Sequence, residues 1–219
     1  MAQIFRRRAN ALARTGVAAV ILLAGGFSLI ALGVMRSPYV TNVGVPRQQP
    51  IPYSHKLHVG QLGLDCRYCH TSVESSSFAG LPATETCMNC HSQVGFDNSV
   101  LEPVRKSYQE GRSIEWTRVN DLPDYVYFDH SIHIHKGVGC ITCHGQVDQL
   151  DVMVPSRAWS MDTCLECHRN PIPYLRPRSD IFSMHAPPPP DQQKAGEALF
   201  KTYDIDSPEK LTNCSICHR

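Results

Sequence analysis

Five copies of Cys-x-x-Cys-His, an uncharged run of 21 residues near the N-terminus and little sustained amphipathic periodicity together predict one fold class. It is a multihaem cytochrome c: mainly irregular, with short α-helices packed around haems, plus one N-terminal transmembrane helix. The frames run from Cys66 to His70, Cys87 to His91, Cys140 to His144, Cys164 to His168 and Cys214 to His218, and they use all ten cysteines. Two thiols three positions apart on one turn of backbone reach the two vinyl groups of a haem, and the adjacent histidine then points at the iron. The attachment residues are therefore Cys66, Cys69, Cys87, Cys90, Cys140, Cys143, Cys164, Cys167, Cys214 and Cys217. The proximal iron ligands are His70, His91, His144, His168 and His218, giving five haem c groups. Zinc sites, redox dithiols and disulfide frameworks also use paired cysteines. None of them needs a histidine directly after each of five pairs.

The N-terminal element comes next. Arg6, Arg7, Arg8 and Arg14 precede the run Thr15 to Met35, which as a helix spans about 31 Å, enough for a hydrocarbon core. The basic flank is expected to stay inside, placing everything after Arg36 outside a cytoplasmic membrane, on the periplasmic side. A cleaved signal peptide is the rival reading, but its apolar region is ordinarily only about 7–15 residues. Gly25, Gly26 and Gly33 fit either close packing on a partner helix or ordinary transmembrane glycine usage. Residues 1–36 thus read as basic flank and anchor. Residues 37–52, with Pro38, Pro46, Pro50 and Pro52, read as an extended tether.

The remaining residues, 53–219, form the extracytoplasmic pentahaem domain, which carries an internal repeat. Tyr53-Ser54-His55-Lys56-Leu57-His58 precedes the frames at Cys66 and Cys87; Phe128-Asp129-His130-Ser131-Ile132-His133 precedes those at Cys140 and Cys164. The modules are 53–95 and 127–170. Each needs two distal ligands, and His55, His58, His130 and His133 supply four for four haems. Residues three apart on a helical turn share a face while diverging in direction, so one turn serves two neighbouring haems. Between the modules, Ser99 to Gly111 reads as a helix, with Pro103 in its first turn and Gly111 past its end. Trp116 to Phe128 reads as loop or short strand.

The fifth frame belongs to a C-terminal segment, 185–219. Four consecutive prolines, Pro187 to Pro190, form a stiff strut, followed by a short helix within Asp191 to Tyr203. With the chain read as ending at Arg219, the distal ligand of His218 must come from upstream or from another chain, unless the site is open. His185 ranks first, with Met153, Met161 and His135 as alternatives. Methionines here, Met184 included, equally serve as apolar packing against a porphyrin.

Net charge of +1 gives no argument for nucleic acid. Aromatic content of 8 % is low, and the haems are expected to act as the core. The chain resembles the membrane-anchored pentahaem cytochrome c subunit of alternative complex III, a quinol-oxidising bacterial assembly. The resemblance rests on the single span, the two His-x-x-His pairs and the five frames. It also rests on Asp121-Leu122-Pro123-Asp124-Tyr125-Val126-Tyr127-Phe128, Gly137-Val138-Gly139-Cys140 and the ending Cys214-Ser215-Ile216-Cys217-His218-Arg219. It implies electron transfer, without catalysis in this subunit, from quinol oxidation to a periplasmic acceptor. The implied partners are an iron–sulfur subunit, quinol-binding membrane subunits and a monohaem cytochrome c. The alternatives are a quinol dehydrogenase reacting directly at a haem, and a reductase with an open fifth haem. No Cys-x-x-Cys-Lys frame is present, which removes one catalytic signature.

Overall fold

The computed structural model describes residues 6–219, which divide into two compact units, one ending at Asn42 and the other Val43–Arg219. The first is the helix Arg7–Arg36 followed by a short turn, Pro38–Thr41. Arg7–Arg36 is long and apolar enough to cross a membrane. Part of the expected tether is helical, because Pro38 occupies the first position of a turn, where its missing N–H costs nothing.

The second unit is built from short helical turns joined by irregular chain. Among the described residues there is no strand, only one antiparallel bridge between Val138 and Leu175. From Val43 the chain lies along its own unit. Gly44 N donates to Pro155 O, Arg47 Nη1 to Arg118 O and Gln49 Nε2 to Thr117 O, while Ile51 is buried. The Trp116–Phe128 segment is irregular and accepts the Arg47 and Gln49 bonds on its backbone. The helix Glu102–Glu110 ends on Gly111 at φ 62°, with Pro103 in its first turn. The helix Gln192–Thr202 starts at Asp191, whose carboxylate accepts from Lys194 N.

Apolar burial is sparse. The buried hydrophobic side chains are Ile51, Val73, Val104, Ile134, Leu175, Ile181 and Met184, few for a unit running from Val43 to Arg219. Val73, Ile134 and Ile181 pack together with Ala79, Cys140 and Phe182, so one small cluster joins both repeats to the chain that follows the second. Side-chain packing of this extent does not account for a fixed fold in so irregular a chain.

The approach to Cys140 is set by Gly137-Val138-Gly139. Gly137 adopts φ +83°, and a Cβ there would meet the Tyr203 ring at 2.5 Å and Arg176 O at 3.0 Å. Gly111 has a similar φ but open space around it. Gly111→Ala should therefore cost about 1–2 kcal/mol, the left-handed penalty alone. Gly137→Ala should cost more, because Tyr203 must also move. Urea titration of the two variants measures the order; equal midpoints would contradict it.

Candidate haem sites

The repeated hexapeptides build the same device twice. Ser54 Oγ accepts from Leu57 N at 3.1 Å, and Asp129 Oδ1 accepts from Ile132 N at 3.3 Å, so the residue before each first histidine caps the turn. The backbone carbonyl of that same residue takes the Nδ1 proton of the second histidine: His58 Nδ1 to Ser54 O at 2.8 Å, His133 Nδ1 to Asp129 O at 2.6 Å. The preceding aromatic then fixes both rings. Tyr53 stacks on His58 at 4.5 Å and meets His55 edge-on at 4.9 Å; Phe128 does the same to His133 at 4.6 Å and His130 at 4.7 Å. The sequence shows this pattern, but its division of labour is visible only in three dimensions.

Each upstream histidine faces a frame of its own module. Ring centroids are 6.1 Å apart for His58 and His91, 6.4 Å for His130 and His144, and 6.2 Å for His133 and His168. Metal–nitrogen bonds of about 2 Å on both sides place two imidazole centroids about 6 Å apart. The three separations therefore fit an iron held between facing Nε2 atoms. His55 lies near His70, and burial followed by the charges of His70 and His58 lowers its pKa to about 4. Burial also lowers His144, to about 4, and His133. These rings stay neutral, the form that ligates a metal.

The frames orient their own histidines through Nδ1. The ring nitrogens of His70, His91, His168 and His218 bond to Gly80 O (2.7 Å), Val94 O (2.9 Å), Leu211 O (3.0 Å) and Tyr125 O (3.0 Å). A carbonyl on Nδ1 fixes the tautomer and leaves the Nε2 lone pair for iron. His130 Nδ1 bonds to Ser77 O at 2.8 Å, across the repeats. His144 differs, bonding to the side chain of Asn120 at 3.2 Å. The carbonyl partners are not legible in the sequence, because a backbone acceptor leaves no mark on residue identity.

Most of the thiols are poor candidates for a redox dithiol, which needs a stabilised thiolate. Burial raises Cys69, Cys87, Cys143, Cys164 and Cys217, and pushes Cys167 up to about 11. Cys66 is lowered to about 7 by its hydrogen bond with the Cys140 thiol, whose own value is raised.

Neighbouring frames are tied in an order different from the chain's. Asn89 Nδ2 of the second frame donates to Tyr68 Oη of the first at 3.0 Å. The first and third meet at one dipeptide: Cys66 Sγ contacts Phe182 O at 3.9 Å, and Cys140 N donates to Ile181 O at 3.0 Å. Arg157 bridges third to fourth, reaching Thr142 O at 3.2 Å and Glu166 Oε2 at 3.9 Å. His168 Nδ1 reaches Leu211 O, just ahead of the fifth frame.

His185 sits elsewhere from its expected role. Its Nε2, the atom iron would require, lies 2.8 Å from Asp148 Oδ2, and its side chain is 70 % exposed. The ring contact found for His218 is Tyr125, at 5.9 Å. Met184 is buried, Met153 is half-buried and Met161 is exposed. His135 is exposed, with Nδ1 on Ser131 O at 3.0 Å.

Short turns without strands, an apolar N-terminal helix and ten cysteines in histidine-terminated frames define the fold of a multihaem cytochrome c. The chain is similar to the multihaem cytochrome c subunit of menaquinone reductase from Nitratidesulfovibrio vulgaris strain Hildenborough, 40% identical over 99 residues. That match covers 45% of this chain and 46% of the relative, so less than half of that protein's length is spanned. No family model matches the chain.

If His133 serves the frame ending at His168, His133→Ala should convert one haem from low-spin to high-spin, and Cys164→Ala should abolish that same new signal. Electron paramagnetic resonance (EPR) reads both. A high-spin signal that survives Cys164→Ala would contradict the pairing.

Proposed function

We propose that this chain is an electron-transfer subunit holding five haem c groups, relaying electrons between a quinol-linked membrane complex and an acceptor or donor on the periplasmic side. The observation that carries the reading is the set of facing imidazoles at 6.1–6.4 Å. Haem iron, when bound, supplies one-electron chemistry between its ferric and ferrous states. The chain's residues do the rest. Paired thiols hold each haem, and His55, His58, His130 and His133 take the distal positions opposite His70, His91, His144 and His168. Two histidines per iron leave no position for substrate, which favours relay over catalysis. The frame contacts support the route Cys87, Cys66, Cys140, Cys164, Cys214.

For the fifth frame the proposed distal ligand is Met161. It is 67 % exposed and begins the helix Met161–Arg169, whose His168 Nδ1 bonds to Leu211 O just ahead of the fifth frame. Asp148 already engages His185. A His/Met pair has a higher potential than bis-His. Met161→His should then shift one titration wave downward in a potentiometric titration of the haem-loaded chain; unchanged waves would exclude Met161.

The proposed location is the cytoplasmic membrane, anchored by Arg7–Arg36 with the haem domain outside. An iron–sulfur subunit, quinol-binding membrane subunits and a monohaem cytochrome c are the proposed partners, as the resemblance to alternative complex III implies. Direction has a second reading, since the relative is named a menaquinone reductase. Purified complex mixed with a menaquinol analogue should show rapid haem reduction in the first reading. Slow reduction by quinol, with fast quinone-dependent oxidation of pre-reduced haems, would establish the second. Mass spectrometry of the chain should show five haem additions; four or fewer would refute the pentahaem assignment.

A further inference from the structure

His144 is held unlike the other four frame histidines. Each of those directs Nδ1 at a backbone carbonyl, which accepts its proton. The Nδ1 of His144 meets Asn120 Nδ2 at 3.2 Å, while Asn120 Oδ1 accepts from Trp159 Nε1 at 2.9 Å. The indole N–H is a donor only, and so is His144 Nδ1–H once Nε2 binds iron, so the two compete for the single oxygen of Asn120. In this structure Trp159 holds that oxygen and the NH₂ group faces His144. The Trp159 ring also stands 5.9 Å from the His144 ring, which keeps this arrangement packed.

An acceptor on Nδ1 makes an imidazole a stronger donor to its metal and favours the oxidised iron. When His144 binds iron through Nε2, its Nδ1 carries the proton, and Asn120 offers that proton another donor. We propose that Trp159, by holding the oxygen of Asn120, denies His144 a hydrogen-bond acceptor, so that the haem on Cys140 and Cys143 has a higher reduction potential than an acceptor on His144 Nδ1 would give it. Asn120 is thus a positioning residue acting through His144. The inference rests on the ligand pairs proposed above.

The test is a potentiometric titration of the full haem-loaded chain, monitored by optical and EPR spectra, on wild type, Asn120→Asp and Trp159→Phe. The carboxylate of Asn120→Asp accepts from Trp159 and His144 together. Trp159→Phe frees the Asn120 oxygen to turn to His144 without adding charge. Both variants should shift one and the same wave to lower potential, leaving the other four in place. The wave is assigned by His130→Ala, which should turn that haem high-spin. Haem content separates the two levels of the argument. A chain with five haems in which Trp159→Phe leaves every wave unmoved, or moves one upward, overturns the Asn120 inference alone. A His130→Ala chain with no new high-spin haem overturns the ligand assignment beneath it. If Asn120→Asp does not load its haem, Trp159→Phe decides.

Discussion

Two imidazoles from different parts of the chain, held opposite one another across the space of one metal ion, are the constraint on which the rest depends. Keeping that gap requires each ring to be fixed against rotation, and the chain does so almost entirely with backbone carbonyls on Nδ1. A carbonyl in a short, irregular chain is held only as well as the loop around it. The loop after His70 shows how this becomes tertiary structure. Ser77 O takes the Nδ1 of His130, Gly80 O takes that of His70, and Ser76 O accepts from Ser131 N. One loop thereby orients ligands of both repeats, so neither repeat is complete without the other.

The small apolar core has the same origin. Val73, Ile134 and Ile181 gather at the joint between the repeats, beside Cys140, and the other buried apolar residues lie scattered outside that cluster. A chain whose apolar mass comes from covalent porphyrins needs side chains only where its segments meet, with the haems filling the rest. Regular elements are correspondingly short. The frames are single turns or little more, such as Cys66–Cys69 and Cys214–Cys217, each capped by an Asp or Asn side chain. Such turns are too short to persist by helix propensity, and attachment at both cysteines, as proposed, would hold them at each end.

Much of the candidate site is legible from residue identity because covalent attachment fixes spacing. The frames, the two His-x-x-His turns and their common aromatic can all be read along the chain, as can the helices ending at Gly111 and starting at Asp191. What is not legible depends on neighbours remote in sequence. The proline-rich stretch 37–52 reads as an extended tether, but the residues it lies on are not legible: side-chain bonds from Arg47 and Gln49 run to residues 118 and 117. His185 reads as a spare ligand because it is unassigned, but Asp148, 37 positions earlier, takes its Nε2. The carbonyl partners of the frame histidines are invisible to sequence because every residue has a carbonyl. Asn120 is the exception: there a side chain does the work, and it stands beside the Asp121-Leu122-Pro123 motif without belonging to it.

The order of the frames in space follows from how the repeat is joined. Within each repeat, one turn carries two histidines that diverge to two frames, so those frames must be neighbours. The joint between repeats lies at Cys66 and Cys140, the first frame of each, which meet at Ile181 and Phe182. Two copies joined through their first frames put their second frames at opposite ends. The first repeat therefore runs outward to Cys87, and the second runs outward to Cys164. A further frame can extend such a row only beyond one of those ends. The contact of His168 with Leu211 shows which: the C-terminal segment adds Cys214 beyond Cys164. Duplication alone gives a row of four with two equivalent ends. The fifth frame removes that equivalence, and it gives a row without direction one end unlike the other.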